Sequence, residues 1–246
     1  MLTQSLKTVT NLFLQQSCPL CDRPAPAVLC PTCWGQIQRC ASPQPVMAAA
    51  AALPVLAWGQ YQGSLKQAIA ALKYDGHPAL ADPLGRALGQ CWQQSPLTPR
   101  SPLVVPIPMF LEKQQQRGFN QAELIARTFC QQTGLPLIRQ GLIRQRATAP
   151  QFGLGLQARQ HNLAGAFTLG QAFQRQRPRQ PVLLVDDIYT TGTTVQMAAT
   201  ELRRSGISVC GVATVARAVM EKSVGSSVGG SGSRKIASSA ARKAGV

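Results

Sequence analysis

Residues 182–194, reading VLLVDDIYTTGTT, restrict the fold more than any other stretch of this 246-residue chain. Four consecutive apolar residues predict a strand buried on both faces, and such strands belong to parallel sheets covered by helices. Two adjacent carboxylates, Asp186 and Asp187, stand directly after those residues, and they are two of only nine acids in the chain. Thr190, Thr191, Gly192, Thr193 and Thr194 then lead into a helical pattern. Small hydroxyl residues and a glycine suit a tight turn at a helix N-terminus, where backbone amides and a partial positive charge favour phosphate. Carboxylates beside such a turn repel phosphate unless something lies between. Ribose hydroxyls, which donate to carboxylates, fit that gap, and Mg²⁺ relieves the remaining repulsion. The competing account is a turn whose acids merely cap the helix, but two acids and four threonines exceed what capping requires.

The rest of the chain alternates helical and strand-like periods. Leu65, Ala68, Ile69 and Leu72 share one helical face, with Ser64 placed to cap it. Leu80, Leu84, Leu88 and Cys91 mark a second helix, and residues 103–107 a buried strand. Asn120 followed by Glu123 predicts a capping box for a helix through Leu124, Ile125, Thr128 and Phe129. A helix over 194–204 stops at Gly206, and a strand over 207–215 follows. This alternation predicts an α/β fold, a parallel sheet flanked by helices. The period lapses over 142–167, a stretch long enough to act as a lid over the site.

Composition at the ends divides the chain further. Residues 1–45 read as an N-terminal helix, with Leu2, Leu6, Val9 and Phe13 on one face, followed by a cysteine module. Pro- and Ala-rich sequence begins at residue 41, and 46–57 reads as a linker to a main domain over 58–220. Residues 221–246, rich in Ser and Gly, read as a flexible basic tail. Neither a signal-peptide core nor an apolar run of the roughly 18 residues that a spanning helix needs is evident. A cytoplasmic protein that does not span the membrane is the expectation.

That compartment keeps thiols reduced, so the cysteines require another explanation than disulfides. Cys18, Cys21, Cys30 and Cys33 form two C-x2-C knuckles, each able to hold one edge of a tetrahedral zinc site. Four thiolates leave no open coordination position, which makes such a site structural. Two disulfides or a redox motif are the alternatives; Cys40 reads as a bystander. Charge is lopsided, +16 overall, and the last 26 residues account for only +4 of it. The remaining basic body suits polyanions, phosphate or nucleic acid, and equally an ordinary solvated basic surface. Lys73, Arg117 and Arg146 are the candidate cations for a phosphorylated ligand, each weighed against a plain surface charge. His77 and His161 have no visible partners and read as structural or surface residues.

The 182–194 segment resembles the thirteen-residue signature of type I phosphoribosyltransferases. By that resemblance Asp186 and Asp187 contact ribose hydroxyls as the catalytic pair, and Thr190, Thr191, Gly192, Thr193 and Thr194 hold the 5′-phosphate of phosphoribosyl pyrophosphate bound with Mg²⁺. Other stretches resemble the ComF family in particular. Val105-Pro106-Ile107-Pro108 is similar to its VPVP element, where the pyrophosphate loop is expected, and Arg117-Gly118-Phe119-Asn120-Gln121 to its RGFNQ motif. Arg144, Arg146, Thr148, Gln151, Leu154, Arg159 and Asn162 follow its R-x-R-x-T-x-x-Q-x-x-L stretch and the next R-x-x-N. The resemblance runs from about Cys18 to Arg217 and implies a type I phosphoribosyltransferase-like parallel sheet flanked by helices, with a small N-terminal zinc module built on four cysteines.

The resemblance implies a role in DNA uptake during natural competence, handling single-stranded DNA with DNA-uptake proteins as partners. The alternative is a metabolic phosphoribosyltransferase, amidophosphoribosyltransferase-like, moving phosphoribose onto a base or amine. Neither a separate amidotransferase domain nor an N-terminal catalytic cysteine is visible for a glutamine-dependent version. A regulator that binds the ligand without turnover is the third reading. Aromatic residues are only 5% of the chain, so base-stacking platforms are not obvious.

Overall fold

Short runs of Val, Leu, Ile and Ala supply the central sheet of the computed structural model, which describes residues 16–48, 53–96, 101–145 and 165–218. A small ribbon of β1 (Gln16–Ser17) and β2 (Pro24–Ala25) precedes α1 (Pro31–Gln38). The sheet begins with β3 (Val46–Ala48) and β4 (Pro54–Gln60), followed by α2 (Gly63–Tyr74), a 3₁₀ turn at Pro78–Leu80 and α3 (Ala81–Gln93). Next come β5 (Leu103–Pro106), α4 (Leu111–Arg117) and α5 (Gln121–Thr133). β6 (Leu142–Arg144), β7 (Phe167–Leu169) and α6 (Gln171–Arg175) lead to β8 (Val182–Tyr189), α7 (Thr193–Arg204) and β9 (Val209–Arg217).

Strand order in the sheet is β3-β4-β9-β8-β5. The last four strands are parallel, and β3 joins the edge antiparallel to β4. Side chains alternate along each strand, so each strand feeds two cores. Leu56, Val104, Leu183, Val185 and Ala213 pack against α2, α3 and α5 on one face. Val55, Val105, Leu184 and Val212 pack against α7, β7 and Phe173 on the other. Helix α3 lies close on α5 because Gly85 faces it: a Cβ there would come within 2.7 Å of the Ile125 carbonyl oxygen. Trp92 meets Phe129 edge-on nearby, with ring centres 6.1 Å apart.

The α/β architecture agrees with the sequence pattern, and four local expectations need correction. The central strand does not end at Val185: β8 runs on to Tyr189, so both acids lie inside it. Residues 46–57 do not form a free linker, since β3 and the first half of β4 pair within the main sheet. Apolar Val55 and Leu56 are wanted by the two cores, which overrides the Pro/Ala-rich composition. Ser64 is not the cap of α2, which starts from Gln62 without a side-chain cap; Ser64 donates instead to Gln36 Oε1 at 3.2 Å. Asn120 does cap α5, accepting from the Ala122 amide at 3.1 Å, but Glu123 pairs with Arg139 at 3.2 Å. The 142–167 stretch is ordered at both ends, where β6 and β7 pair antiparallel. The expected N-terminal helix, the interior of the lid, Arg146, His161 and the 221–246 tail lie outside the described residues.

Candidate functional site at the carboxyl edge of the sheet

Strands β4 and β8 send their following helices to opposite faces of the sheet, α2 to one and α7 to the other, with β9 between them. Open α/β sheets bind ligands in the crevice created where connections diverge in this way. Strand β5 stops at Pro106, opposite Val185, so among the described residues the last residues of β8 pair with no strand on that side. The Asp187 amide there donates to Asp186 Oδ1 at 2.9 Å, and the Ile188 amide to Asp187 Oδ1 at 2.8 Å.

Because consecutive strand residues point to opposite faces, the acid pair is split. Asp187 lies on the face of Leu183 and Val185, where its Oδ2 meets Lys73 Nζ at 2.5 Å. Lys73 sits in the last turn of α2, and its side chain is 16% exposed against 5% for Asp187. Helix α2 starts just past the carboxyl end of β4 and ends against that of β8, so it spans this edge of the sheet. Asp186 lies on the face of Leu184, toward α7 and β6. Burial, then the neighbouring Asp187 charge, push its carboxyl well above the usual range. Arg144, at the end of β6, is the cation on that side. Burial lowers its pKa while the Asp186 charge raises it, and its guanidinium lies 5.6 Å from the centre of the Phe167 ring. Lys73 thus pairs with Asp187 and its charge also reaches Asp186, while Arg144 senses the Asp186 charge from the other face.

Past Tyr189 the chain turns through residues 190–192 into α7. Gly192 holds φ +78°, and a Cβ on it would run into the Tyr189 hydroxyl. Thr191 and Thr193 hydroxyls lie 2.9 Å apart, and the Thr193 amide donates to Thr191 Oγ1 at 3.4 Å. The turn thus delivers threonine hydroxyls and helix-end amides to one place.

On the Lys73 side a cavity of about 530 Å³ opens, lined by Lys73, Tyr74, Lys113, Arg117 and Phe119 among others. Arg117 donates to Gln121 Oε1 at 2.6 Å and lies 5.2 Å from the centre of the Tyr74 ring, which is 75% exposed. Of the cations expected from sequence, Lys73 meets Asp187 directly and Arg117 shares its cavity. Sequence reasoning overlooked Lys113 and Tyr74, and placed Arg144 in the family motif without a role at the site. Arg144 had a signal: it is the first arginine of the R-x-R motif and follows two apolar residues of a strand. Asn120 of the RGFNQ motif serves the scaffold, donating to the Ile107 carbonyl at 3.1 Å and tying α5 to the end of β5.

Near the N-terminus of the described chain, the four sulfurs of Cys18, Cys21, Cys30 and Cys33 all lie within 4.8 Å of one another. A tetrahedron with zinc–sulfur bonds near 2.3 Å has edges of about 3.8 Å, so this cluster fits such an ion. Cys21 and Cys30 sulfurs are 3.6 Å apart. The Cys33 amide donates to Cys30 Sγ and holds that thiol down to about 7, while burial raises Cys33. The four cysteines can hold a metal ion. Cys40 stands apart, its thiol directed at the Gln36 and Gln62 carbonyls. Among the described residues, no helix is long and apolar enough to cross a membrane.

The chain is 30% identical over 194 residues to DNA utilization protein YhgH of Salmonella typhi, covering 77% of this chain and 78% of that protein. It is 33% identical over 115 residues to competence protein F of Haemophilus influenzae, and 31% over 107 residues to competence protein ComFC of Bacillus subtilis. Those two matches span 50% and 39% of the relatives' lengths, against 47% and 42% of this chain. Among solved structures, an allosteric regulatory enzyme of purine biosynthesis is 20% identical, with a TM-score of 0.38 over 55% of this chain and 26% of the other. No family model matches the sequence. The extent of the Salmonella match and the agreement of the competence relatives establish that the chain belongs to the ComF family.

Proposed function

We propose that this chain binds phosphoribosyl pyrophosphate at the carboxyl edge of its sheet and works in DNA uptake, handling single-stranded DNA. The observation that carries the binding half is the split acid pair beside the Thr/Gly turn of α7. Ribose hydroxyls donate to Asp186, with Asp187 holding Lys73 from the opposite face of the strand, and the 5′-phosphate takes the hydroxyls and amides of residues 190–194. The pyrophosphate end lies toward Lys73, Lys113 and Arg117, with Arg146 as a further candidate cation. Two carboxylates a residue apart, one with a raised pKa, suit Mg²⁺, which when bound offsets charge on the pyrophosphate. Asp186 would hold the ion, with Asp187 beside it in the strand as the second carboxylate.

The uptake half is supported by the names of the relatives, competence protein F and DNA utilization protein. The four cysteines hold structural zinc, and the working compartment is the cytoplasm, whose reducing poise keeps thiols available as ligands.

Calorimetry of Mg²⁺ and phosphoribosyl pyrophosphate against wild type and Asp186→Asn tests the site. Burial and the neighbouring Asp187 charge raise the Asp186 pKa, and a bound cation would favour its ionised form. Binding should therefore release a proton and tighten as pH rises through the raised Asp186 pKa. Asp186→Asn should lose both the affinity and the proton release; a variant that binds as tightly as wild type would refute the assignment. Pyrophosphate release with any base or amine acceptor would favour the metabolic transferase instead.

A further inference from the structure

The opposite, amino edge of the sheet carries features that the ribose site does not use. Residues 124–185 contain eight arginines, no lysine and no acid. Three of these arginines, Arg175, Arg177 and Arg179, separated by Gln176 and Pro178, run from the end of α6 into the approach to β8, and all three are exposed. Among the described residues, no carboxylate lies within ion-pairing distance of them. Arg177 and Arg179 border a groove of about 710 Å³ whose apolar floor includes Leu103, Ile138 and Phe173, and Arg175 precedes them at the end of α6. The Arg177 guanidinium also reaches the turn after α7, 3.9 Å from where a Cβ on Gly206 would lie.

From this arrangement we infer a second anion site, a track on the amino edge for the backbone of single-stranded nucleic acid. Arg175 closes α6 and Arg177 and Arg179 follow in the non-helical chain before β8, so three exposed guanidinium groups are presented within five residues to the phosphates of one strand. Guanidinium groups favour nucleic acid over an acidic peptide, because they fork onto phosphate and also stack on bases. Gln174, Gln176 and Gln180 stand between or beside the arginines and offer donors and acceptors to sugars and base edges. The track is separate from the ribose site: Val182 to Asp187 spans about 17 Å of strand. It rests on the proposed single-strand handling for the identity of the partner, and adds where that partner lies.

The test compares wild type with the triple variant Arg175→Ala, Arg177→Ala, Arg179→Ala, measuring anisotropy of a labelled oligothymidine of roughly 20 nucleotides across a salt series. Losing three phosphate contacts should lower affinity at least tenfold at low salt and reduce the slope of log K against log salt by about 2. All three side chains are exposed, so the melting temperature should not move, and affinity for Mg²⁺–phosphoribosyl pyrophosphate should stay at the wild-type level. Unchanged affinity and slope would overturn the track, as would failure of wild type to bind the oligomer. Equal competition by poly-glutamate would overturn the nucleic-acid assignment. Asp186→Asn separates the two sites: it should lose phosphoribosyl pyrophosphate and keep the oligomer. If wild type binds the oligomer through the arginines but never the sugar phosphate, the ribose site fails and the track stands.

Discussion

Removing the Asp187 carboxylate leaves the Lys73 ammonium largely shut off from water with no countercharge. Breaking a buried pair from one side costs about 3–5 kcal/mol. Asp187→Ala should therefore lower the urea midpoint markedly, whereas Asp186→Asn, which relieves a crowded negative charge, should not. Equal midpoints for Asp187→Ala and wild type would show that the pair contributes nothing to folding. Adjacent acids after an apolar run were legible as a site, but both were expected to face solvent and ligand. Strand periodicity decides otherwise: two neighbours in one strand cannot share a face, so Asp187 turns into the α2 side and is buried. Gly192 was legible as a turn residue from its threonine neighbours. The second reason for it, the Tyr189 hydroxyl occupying the place of a side chain, comes only from the fold.

At the scale of elements, the cysteine module shows how a sequence spacing becomes a ligand set. Cys18 accepts from the Cys21 and Asp22 amides through its carbonyl, closing a tight turn that brings the first pair together. Cys30 is the N-cap of α1, and the first turn of that helix carries Cys33 back to it. Trp34, next in α1, stacks on Trp58 of β4 at 6.2 Å between ring centres. Purified, reduced protein should hold about one zinc per chain, as four thiolates complete one tetrahedral site. Chelation should shift the tryptophan emission, because loosening α1 separates that stack. A zinc ratio near zero would remove the metal assignment. The C-x2-C pairs were fully legible, since each knuckle is local in sequence. That α1 would lie on β4 was not, because no local pattern announces a contact between distant aromatic rings.

Across the whole molecule the cysteine module and the sheet share one core. Cys18, Cys33 and Ile37 belong to the same buried cluster as Leu56, Leu65 and Leu183. Residues 46–57 join the two through β3 and β4 rather than separating them. Far-ultraviolet circular dichroism and tryptophan emission should thus report one coincident unfolding transition for the metal-loaded protein. Two resolved transitions would mean that residues 16–45 unfold as an independent unit. The alternation of helices and strands, the Thr/Gly turn and the cysteine pairs follow from the sequence alone, because each rests on periodicity or on neighbours in the chain. Tertiary structure decided which faces the two acids take, which of the many arginines senses the Asp186 charge, and that arginines gather at the amino edge of the sheet as well as near the acids. Those depend on residues such as Lys73 and Asp187, which lie more than a hundred positions apart and meet only when the sheet closes.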